Sequence, residues 1–385
     1  RQAVAWSVGG EVMDFTLTEE QVLIRESLSK AFQTDYDFDK RRAVLEDAAT
    51  FHSPAMWSTI AESGFTGLLA PEDSDGFGGG AAELMVVAEE LARHLSLEPF
   101  LSSAVMAVRL LDLASDATER TLRMPGLLSG EQPGAVALYE PGERYAMENV
   151  ATTAVETGEG WRLNGAKAVV IGADAAAWIA VSAKLEGDDV DIFVVETDAN
   201  GVKRNPYRLV DGRGAADLEL KDVVVPLSAR LTSGGDAVAI LSEVEDWAVL
   251  TMAAESLGAM ECAKDLTLEY LKTRQQFGQP IGSFQVLQHD MANILSEVEY
   301  ARSMVYWAAA AMAGDDPITR RHTISGAKAY IDKAARFVAE KTVQMHGGVG
   351  VTDEYALSHY VKRLTLTQIL FGDRDEHLTR FLETA

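Results

Sequence analysis

The spacing of apolar positions changes twice along the chain. From Met13 to about Arg123, Leu17, Ile24, Leu28, Ala31 and Phe32 recur at helical intervals. Thr18-Glu19-Glu20-Gln21 predicts a capping box, with Thr18 over the first turn and Gln21 reaching back. Ser53 before Pro54 predicts a cap followed by proline at the first helical position, and Gly64 predicts a left-handed stop. Between about Pro125 and Ser233 the period becomes strand-like, with runs at 135–139, 150–156, 167–171, 178–183, 191–196 and 218–225. Asn164-Gly165 between two such runs predicts a hairpin turn. From about Leu241 long helical patterns return: Leu257, Met260, Leu266, Leu268 and Leu271 are spaced as a buried stripe, and a second long helical segment spans 284–312.

These changes divide the chain into an N-terminal helical domain over 13–124, a middle β domain over 125–235 and a C-terminal helical domain over 236–385. Residues 1–12 lack the basic start and apolar stretch of a secretion signal and read as a leader or an appended remnant. Helical, then β, then helical order, without alternating βαβ units, argues against a doubly wound sheet and predicts an α+β multidomain protein.

Composition adds limits. Lys and Arg number 34 against 59 Asp and Glu, so 34 − 59 gives a net charge of −25, which disfavours nucleic acid and anionic lipid as partners. No stretch approaches the roughly 18 consecutive apolar residues of a spanning helix, so no membrane insertion is expected. The single cysteine, Cys262, excludes an intrachain disulfide and points to a reducing, cytoplasmic setting.

Several motifs carry no chemistry. Gly76-Phe77-Gly78-Gly79-Gly80-Ala81 fits a loose dinucleotide pattern but follows no strand, so it reads as a turn. The seven histidines show no metal-ligand spacing, and Asp375-Glu376-His377 reads as a solvated helix face; no metal is expected. No Gly-x-Ser-x-Gly elbow is present. More specific is the stretch from Arg274 to Gln285, where a helix meets a Gly/Pro turn and an arginine can make paired hydrogen bonds to a phosphate, or simply form a salt-bridged corner. A second element, Gln344-Met345-His346-Gly347-Gly348-Val349-Gly350, has glycines that let backbone amides approach an anion.

With Pro71-Glu72, Glu140-Pro141-Gly142 and Leu163-Asn164-Gly165-Ala166-Lys167, these stretches resemble the acyl-CoA dehydrogenase family of flavoproteins over almost all of Met13 to Ala385. The resemblance implies an N-terminal helical domain, a middle β-barrel or sandwich, a C-terminal four-helix bundle, and FAD at a subunit interface. It further implies that Arg274, Gln276, Phe277 and Gln285 hold the FAD diphosphate and adenine side from one subunit, while Gln344, Gly347 and Gly348 reach it from the neighbour.

The chain departs from the family where the chemistry occurs. Family members remove the α-proton of an acyl-CoA with a glutamate while flavin takes hydride from the β-carbon. The matching slot here is Phe371, followed by Gly372, and the slot that some relatives use before the arginine motif is Ala248, followed by Val249. Glu245, one turn earlier, is a weak substitute, because Glu243, Glu245 and Asp246 read better as a solvated face. Around the flavin ring, Tyr139 replaces a threonine, Glu143-Arg144-Tyr145-Ala146 replaces a small Gly/Ser/Asp stretch, Val169-Val170-Ile171 replaces Trp-Ile-Thr, and Asp373 replaces another threonine. Ile171 cannot donate the hydrogen bond that its threonine counterpart gives the ring.

The pattern resembles the non-catalytic subunit of heteromeric acyl-CoA dehydrogenases, as in bacterial breakdown of steroid side chains. The expected role is α,β-dehydrogenation of an acyl-CoA with the base supplied by a partner chain, in a heterotetramer with a related catalytic subunit. The alternatives are a self-sufficient homodimer or homotetramer using Glu245, and a redox-silent structural or acyl-CoA-binding module.

Overall fold

The computed structural model describes residues 6–8, 11–13, 16–114, 117–187, 189–233 and 235–384. Much of the proposed 1–12 leader lies outside these residues; within it, Trp6–Val8 (β1) pairs antiparallel with Glu11–Met13 (β2).

The N-terminal helices are Glu19–Asp35 (α1), Phe38–Glu46 (α2), Pro54–Glu62 (α3), Ala81–Arg93 (α4), Val108–Leu113 (α5) and Ala117–Leu128 (α6). A π-helical stretch, Phe100–Ala107, leads into α5. The capping box forms as the sequence predicts: Gln21 N donates to Thr18 Oγ1 at 3.2 Å and Thr18 N to Gln21 Oε1 at 3.1 Å. Ser53 caps α3 with Pro54 at its start, and Gly64 turns left-handed at φ +80°. The expected boundary at 124 falls inside α6, which continues through Pro125 to Leu128. The Gly76 turn exists for packing, since a Cβ there would lie 2.1 Å from the Ala70 carbonyl oxygen.

The middle domain is a seven-stranded sheet of Gly134–Ala137 (β3), Thr153–Thr157 (β4), Gly160–Ile171 (β5), Trp178–Lys184 (β6), Val190–Glu196 (β7), Val202–Arg208 (β8) and Gly214–Val225 (β9). Its order is β3-β6-β4-β5-β9-β8, with β7 on β6. The two-residue period sorts its faces: Trp178, Ala180, Ile192 and Val194 join the helical core. Ile179, Val181, Phe193 and Val195 build a separate one.

Asn164-Gly165 is not a hairpin turn. β5 runs straight through it with a register shift, and the reversal falls between Thr157 and Gly160 instead. Glycine is needed at 165 because a Cβ would lie 2.4 Å from Thr152 Oγ1, while Asn164 bridges to Asp222 through Oδ1 and Nδ2. At the true turn Gly160 has φ +135° and a Cβ would lie 2.1 Å from the Val225 carbonyl oxygen. Gly160→Ala is therefore expected to cost more than about 1 kcal/mol, read as a lower denaturant midpoint; an unchanged midpoint would contradict the close approach.

The C-terminal helices are Ala237–Thr273 (α7), Gln285–Met312 (α8), Pro317–His346 (α9), Ala356–Thr367 (α10) and Arg374–Glu383 (α11). A two-residue hairpin pairs Gln275–Gln276 (β10) with Gln279–Pro280 (β11) between α7 and α8. In the expected α7 stripe Leu257, Met260 and Leu271 are buried but Leu268 is exposed. The three domains meet at a buried charge cluster. Arg363 on α10 donates to Asp211 Oδ2 at 2.6 Å, Glu255 Oε2 at 3.1 Å and the Ser96 carbonyl at 2.7 Å. Arg41 on α2 reaches the Leu95 and Asp211 carbonyls at 2.9 and 2.8 Å. This cluster sets how the sheet sits against the bundle, and so shapes the cleft between them.

Candidate cofactor site and cleft

Two features, at separate places on the molecule, hold the candidate residues. The first is the end of the bundle where α7 and α9 finish. Arg274 caps α7, Gln276 lies in the β10 strand, Phe277 occupies the hairpin tip at φ +54° and is 91% exposed, and Gln285 opens α8. Gln344 sits in the last turn of α9, and Gly347 and Gly348 follow it. Tyr270, one turn before Arg274, stacks on His346 at a ring separation of 4.3 Å. That contact brings both sets to one end of the chain.

The chemistry at this end suits a phosphate-bearing, aromatic ligand. The Arg274 guanidinium is exposed and, among the described residues, has no carboxylate partner. Gly347 needs glycine for its φ of +62°, and at both Gly347 and Gly348 nothing among the described residues lies within 4 Å of a Cβ, so the space beside them is open. An FAD diphosphate and adenine fit this set: a fork of donors, an exposed aromatic ring and approachable backbone amides.

The second feature is a cleft of about 390 Å³ between the sheet and the α10–α11 connection, lined by Tyr139, Tyr145, Val169, Ile171, Ile369 and Phe371 among others. Both expected base slots are closed. Phe371 is buried in the left-handed region at φ +60°, an uncommon conformation for a bulky residue. Ala248 is 0% exposed inside α7.

Glu245, Asp246 and their neighbours are not a solvated face. Glu245 is 0% exposed; one oxygen accepts the Tyr139 hydroxyl and the other accepts Arg321 Nη2 at 2.6 Å and Arg380 Nη1 at 3.0 Å. Asp246 pairs with Arg320 and Arg321 at 3.2 and 2.8 Å. Burial and the neighbouring Glu245 carboxylate push the Tyr139 hydroxyl well above the ordinary tyrosine range, so it stays a donor. Local spacing could not show this, because the two arginines lie 76 and 135 residues away in sequence.

The other altered positions are likewise occupied by the chain itself. Asp373 caps α11, accepting from Asp375 N and Glu376 N at 3.1 and 3.0 Å, and meets Arg144 at 3.2 Å. The expected solvated face at Asp375-Glu376-His377 is thus only partly exposed: it is the first turn of α11, and His377 turns inward and is buried. Tyr145 donates to the Ile369 carbonyl at 3.0 Å. Val169 has φ +51°, and its N–H is taken by Asp217 Oδ1 at 2.9 Å. Behind the wall, Glu140 accepts Lys167 Nζ at 2.8 Å together with the Ala151 and Thr152 amides. Burial would raise the Glu140 carboxyl, but these donors outweigh it and hold it below its ordinary range. Glu140 and Lys167 are therefore structural.

Sequence reasoning missed the pair that anchors the cleft floor. Buried Lys328 donates to both Asp332 oxygens at 2.7 Å and to the Thr367 carbonyl at 2.8 Å, fixing the end of α10 just before the base slot. Burial raises the Asp332 carboxyl to about 6. The i, i+4 spacing of Lys328 and Asp332 was the available signal. Among the described residues no group of side chains could hold a metal ion, and no helix is long and apolar enough to cross a membrane.

Comparison with known proteins agrees with this three-part architecture. The N-terminal, middle and C-terminal domain models of acyl-CoA dehydrogenases match residues 18–131, 135–223 and 245–384. The chain is 28% identical to an acryloyl-CoA reductase (NADH) of Anaerotignum propionicum, over 95% of this chain and 94% of that one. Among solved structures, it resembles a chain of the ChsE4-ChsE5 complex from Mycobacterium tuberculosis at 25% identity and TM-score 0.87, covering 96% and 98% of the two chains. It resembles a variant of the Tcur3481-Tcur3483 steroid ACAD at 30% identity and TM-score 0.86, with the same coverage. With its three domains matched in order and 96% of its length covered by such structures, the chain belongs to the acyl-CoA dehydrogenase family of oxidoreductases.

Proposed function

We propose that this chain is the non-catalytic subunit of a heteromeric acyl-CoA dehydrogenase. Its bundle end lends the diphosphate and adenine side of an FAD site to a related chain, which houses the flavin ring and supplies the base. The observation that carries this reading is the contrast between the two ends: among the described residues Arg274 has no carboxylate partner, whereas both base slots are filled by buried apolar side chains. FAD supplies the hydride acceptor for the β-carbon in α,β-dehydrogenation. On this side, Arg274, Gln276, Phe277, Gln285, Gln344, Gly347 and Gly348 bind and orient it. A heterotetramer is favoured over a homodimer or homotetramer, because a homomer would carry no carboxylate at either base slot. The similarity to a chain of the ChsE4-ChsE5 complex and to a steroid ACAD supports both the heteromeric assembly and a ring-bearing acyl-CoA, as in steroid degradation.

Glu245 does not serve the self-sufficient reading well. Both its oxygens are occupied, and a base must reach the α-carbon directly. The redox-silent reading gains from the filled base slots but leaves Arg274, which has no carboxylate partner among the described residues, without a purpose.

The test is the FAD-to-chain ratio of protein purified alone, then repurified after added FAD. Little or no retained FAD is expected, with near-stoichiometric FAD appearing once the partner is co-expressed. A ratio near one in the isolated chain, together with acyl-CoA turnover, would overturn the reading.

A further inference from the structure

We infer that His359 is a proton-operated lock at the junction of the three domains: the neutral ring accepts the Arg41 guanidinium and keeps α2 docked, whereas a protonated ring cannot accept it and releases α2. The lock goes beyond the proposed function and depends on neither FAD nor a partner chain.

The ring's partners assign its tautomer. Arg41 Nη1 lies 2.8 Å from His359 Nδ1, and His359 Nε2 lies 2.9 Å from the Asp353 carbonyl oxygen. A carbonyl only accepts, so Nε2 carries the proton; a guanidinium only donates, so Nδ1 must offer its lone pair. Burial lowers Arg41 only to about 10, which leaves it charged at neutral pH. A second proton on the ring would set an Nδ1–H against the arginine donor and bring two cations together at a buried site. The surrounding groups do not relieve this. Arg363 and Lys362 on α10 add positive charge. The Asp353 carboxylate is spent on Lys362 at 2.5 Å, and the Asp211 carboxylate on Arg363 and Arg213. Tyr36 and Tyr360 stay neutral, since burial holds both hydroxyls well above the ordinary range. Burial, with Arg41 and Lys362, holds the His359 ring below the ordinary histidine range.

The lock matters because α2 has little else at this end. Arg41 is its one buried side chain, whereas Phe38 and Leu45 are half-buried. Arg41 also donates to the Leu95 carbonyl of the N-terminal domain and the Asp211 carbonyl of the middle one, so one side chain ties α2 to all three domains. Both carbonyls lose their partner when Arg41 leaves, which couples the charge of one ring to the opening of the junction. The far end of α2 is held separately: Arg208 on β8 donates to the Val44, Asp47 and Thr50 carbonyls at 2.7 Å each. Release therefore opens α2 as a flap hinged at Arg208.

In the open state the ring protonates without hindrance, so the closed state loses stability as pH falls below the ordinary histidine value of about 6.5. Amide hydrogen exchange on the full chain reads this as protection factors in α2. In the wild type they are expected to fall by about tenfold from about pH 7.5 to about pH 5.5, the linkage of one proton. His359→Asn keeps an acceptor oxygen near the place of Nδ1 and cannot titrate, so its α2 protection is expected to change by less than about twofold over the same range. His94, beside Leu95, and His52, beyond α2, are kept in this variant, and a fall that they caused would survive in it. A level wild-type profile would overturn the inference, as would a fall in His359→Asn as large as the wild type's. Nitrogen NMR of the histidine-labelled wild type tests the lock without a variant. A neutral ring with its proton on Nε2 is expected at neutral pH; a charged ring, or a proton on Nδ1, would overturn the inference.

Discussion

Arg363→Met is expected to destabilise the protein by about 3–5 kcal/mol, the usual cost of removing one partner from a buried ion cluster. In the wild type, Arg363 and Arg213 together face Asp211 and Glu255, and all four are buried. Methionine fills much of the arginine's volume but leaves Arg213 to pair with both carboxylates, with Arg41 acting on Asp211 from farther off, and strands the Ser96 carbonyl. The pH dependence identifies the cause. Burial alone would raise the Asp211 carboxyl, but Arg363 and Arg213 outweigh it and hold it below its ordinary value. A carboxylate depressed in the folded state adds stability above its unfolded pKa, about 3.9, and that stability is lost as pH falls through the folded value. Without Arg363 the Asp211 carboxyl titrates higher, so the variant sheds its unpaired charge by protonation first. The gap between variant and wild type in denaturant midpoints should therefore be widest near neutrality and narrow between about pH 6 and pH 4. A gap that stays constant over that range would point to lost packing and not to charge.

The same cluster shows where sequence reading stops. Local chemistry was legible: the Thr18 box, the Ser53-Pro54 start and the Gly64 stop all appear where residue types demand them. Long periodic runs located α7 and α8 and most strands, whereas α9, α10 and α11 were not singled out by their spacing. β8 was missed because it is largely polar, contains Pro206 and lies at the sheet edge, where a proline is tolerated. Asn164-Gly165 misled because the glycine serves a close approach to Thr152 and not a reversal. The resemblance could point to Phe371 and Ala248 as slots without a carboxylate, but it could not show what replaced the lost chemistry. Glu245 looks solvated in a window of ten residues and becomes buried only when α9 and α11 bring Arg321 and Arg380 over it. Ion pairs between distant elements leave no periodic trace, and in this chain they hold the altered end of the molecule together.

That asymmetry makes the bundle end the place to test function, and Arg274→Ala is the sharpest substitution. Arg274 is exposed at the end of α7 and, among the described residues, has no carboxylate partner, so the fold does not depend on its side chain. The variant should match the wild type in thermal stability within about 0.5 kcal/mol, as surface replacements do. Its cost should appear only in cofactor. A guanidinium fork on a diphosphate makes charge-assisted hydrogen bonds, each contributing about 1.5–3 kcal/mol. Losing one or two of them weakens FAD by about 10-fold to more than 100-fold. In the co-purified assembly this is read as FAD released on denaturation per chain, and Arg274→Lys, which keeps the charge but loses the fork, should fall between alanine and wild type. Gln344→Ala, one stacked pair away across Tyr270 and His346, should act on the same FAD if one chain carries both elements. The double variant would then lose less than the sum of the two singles, since contacts on one ligand couple. Strict additivity would mean that the two residues serve different FAD molecules, and would return Gln344 to the neighbouring subunit's site.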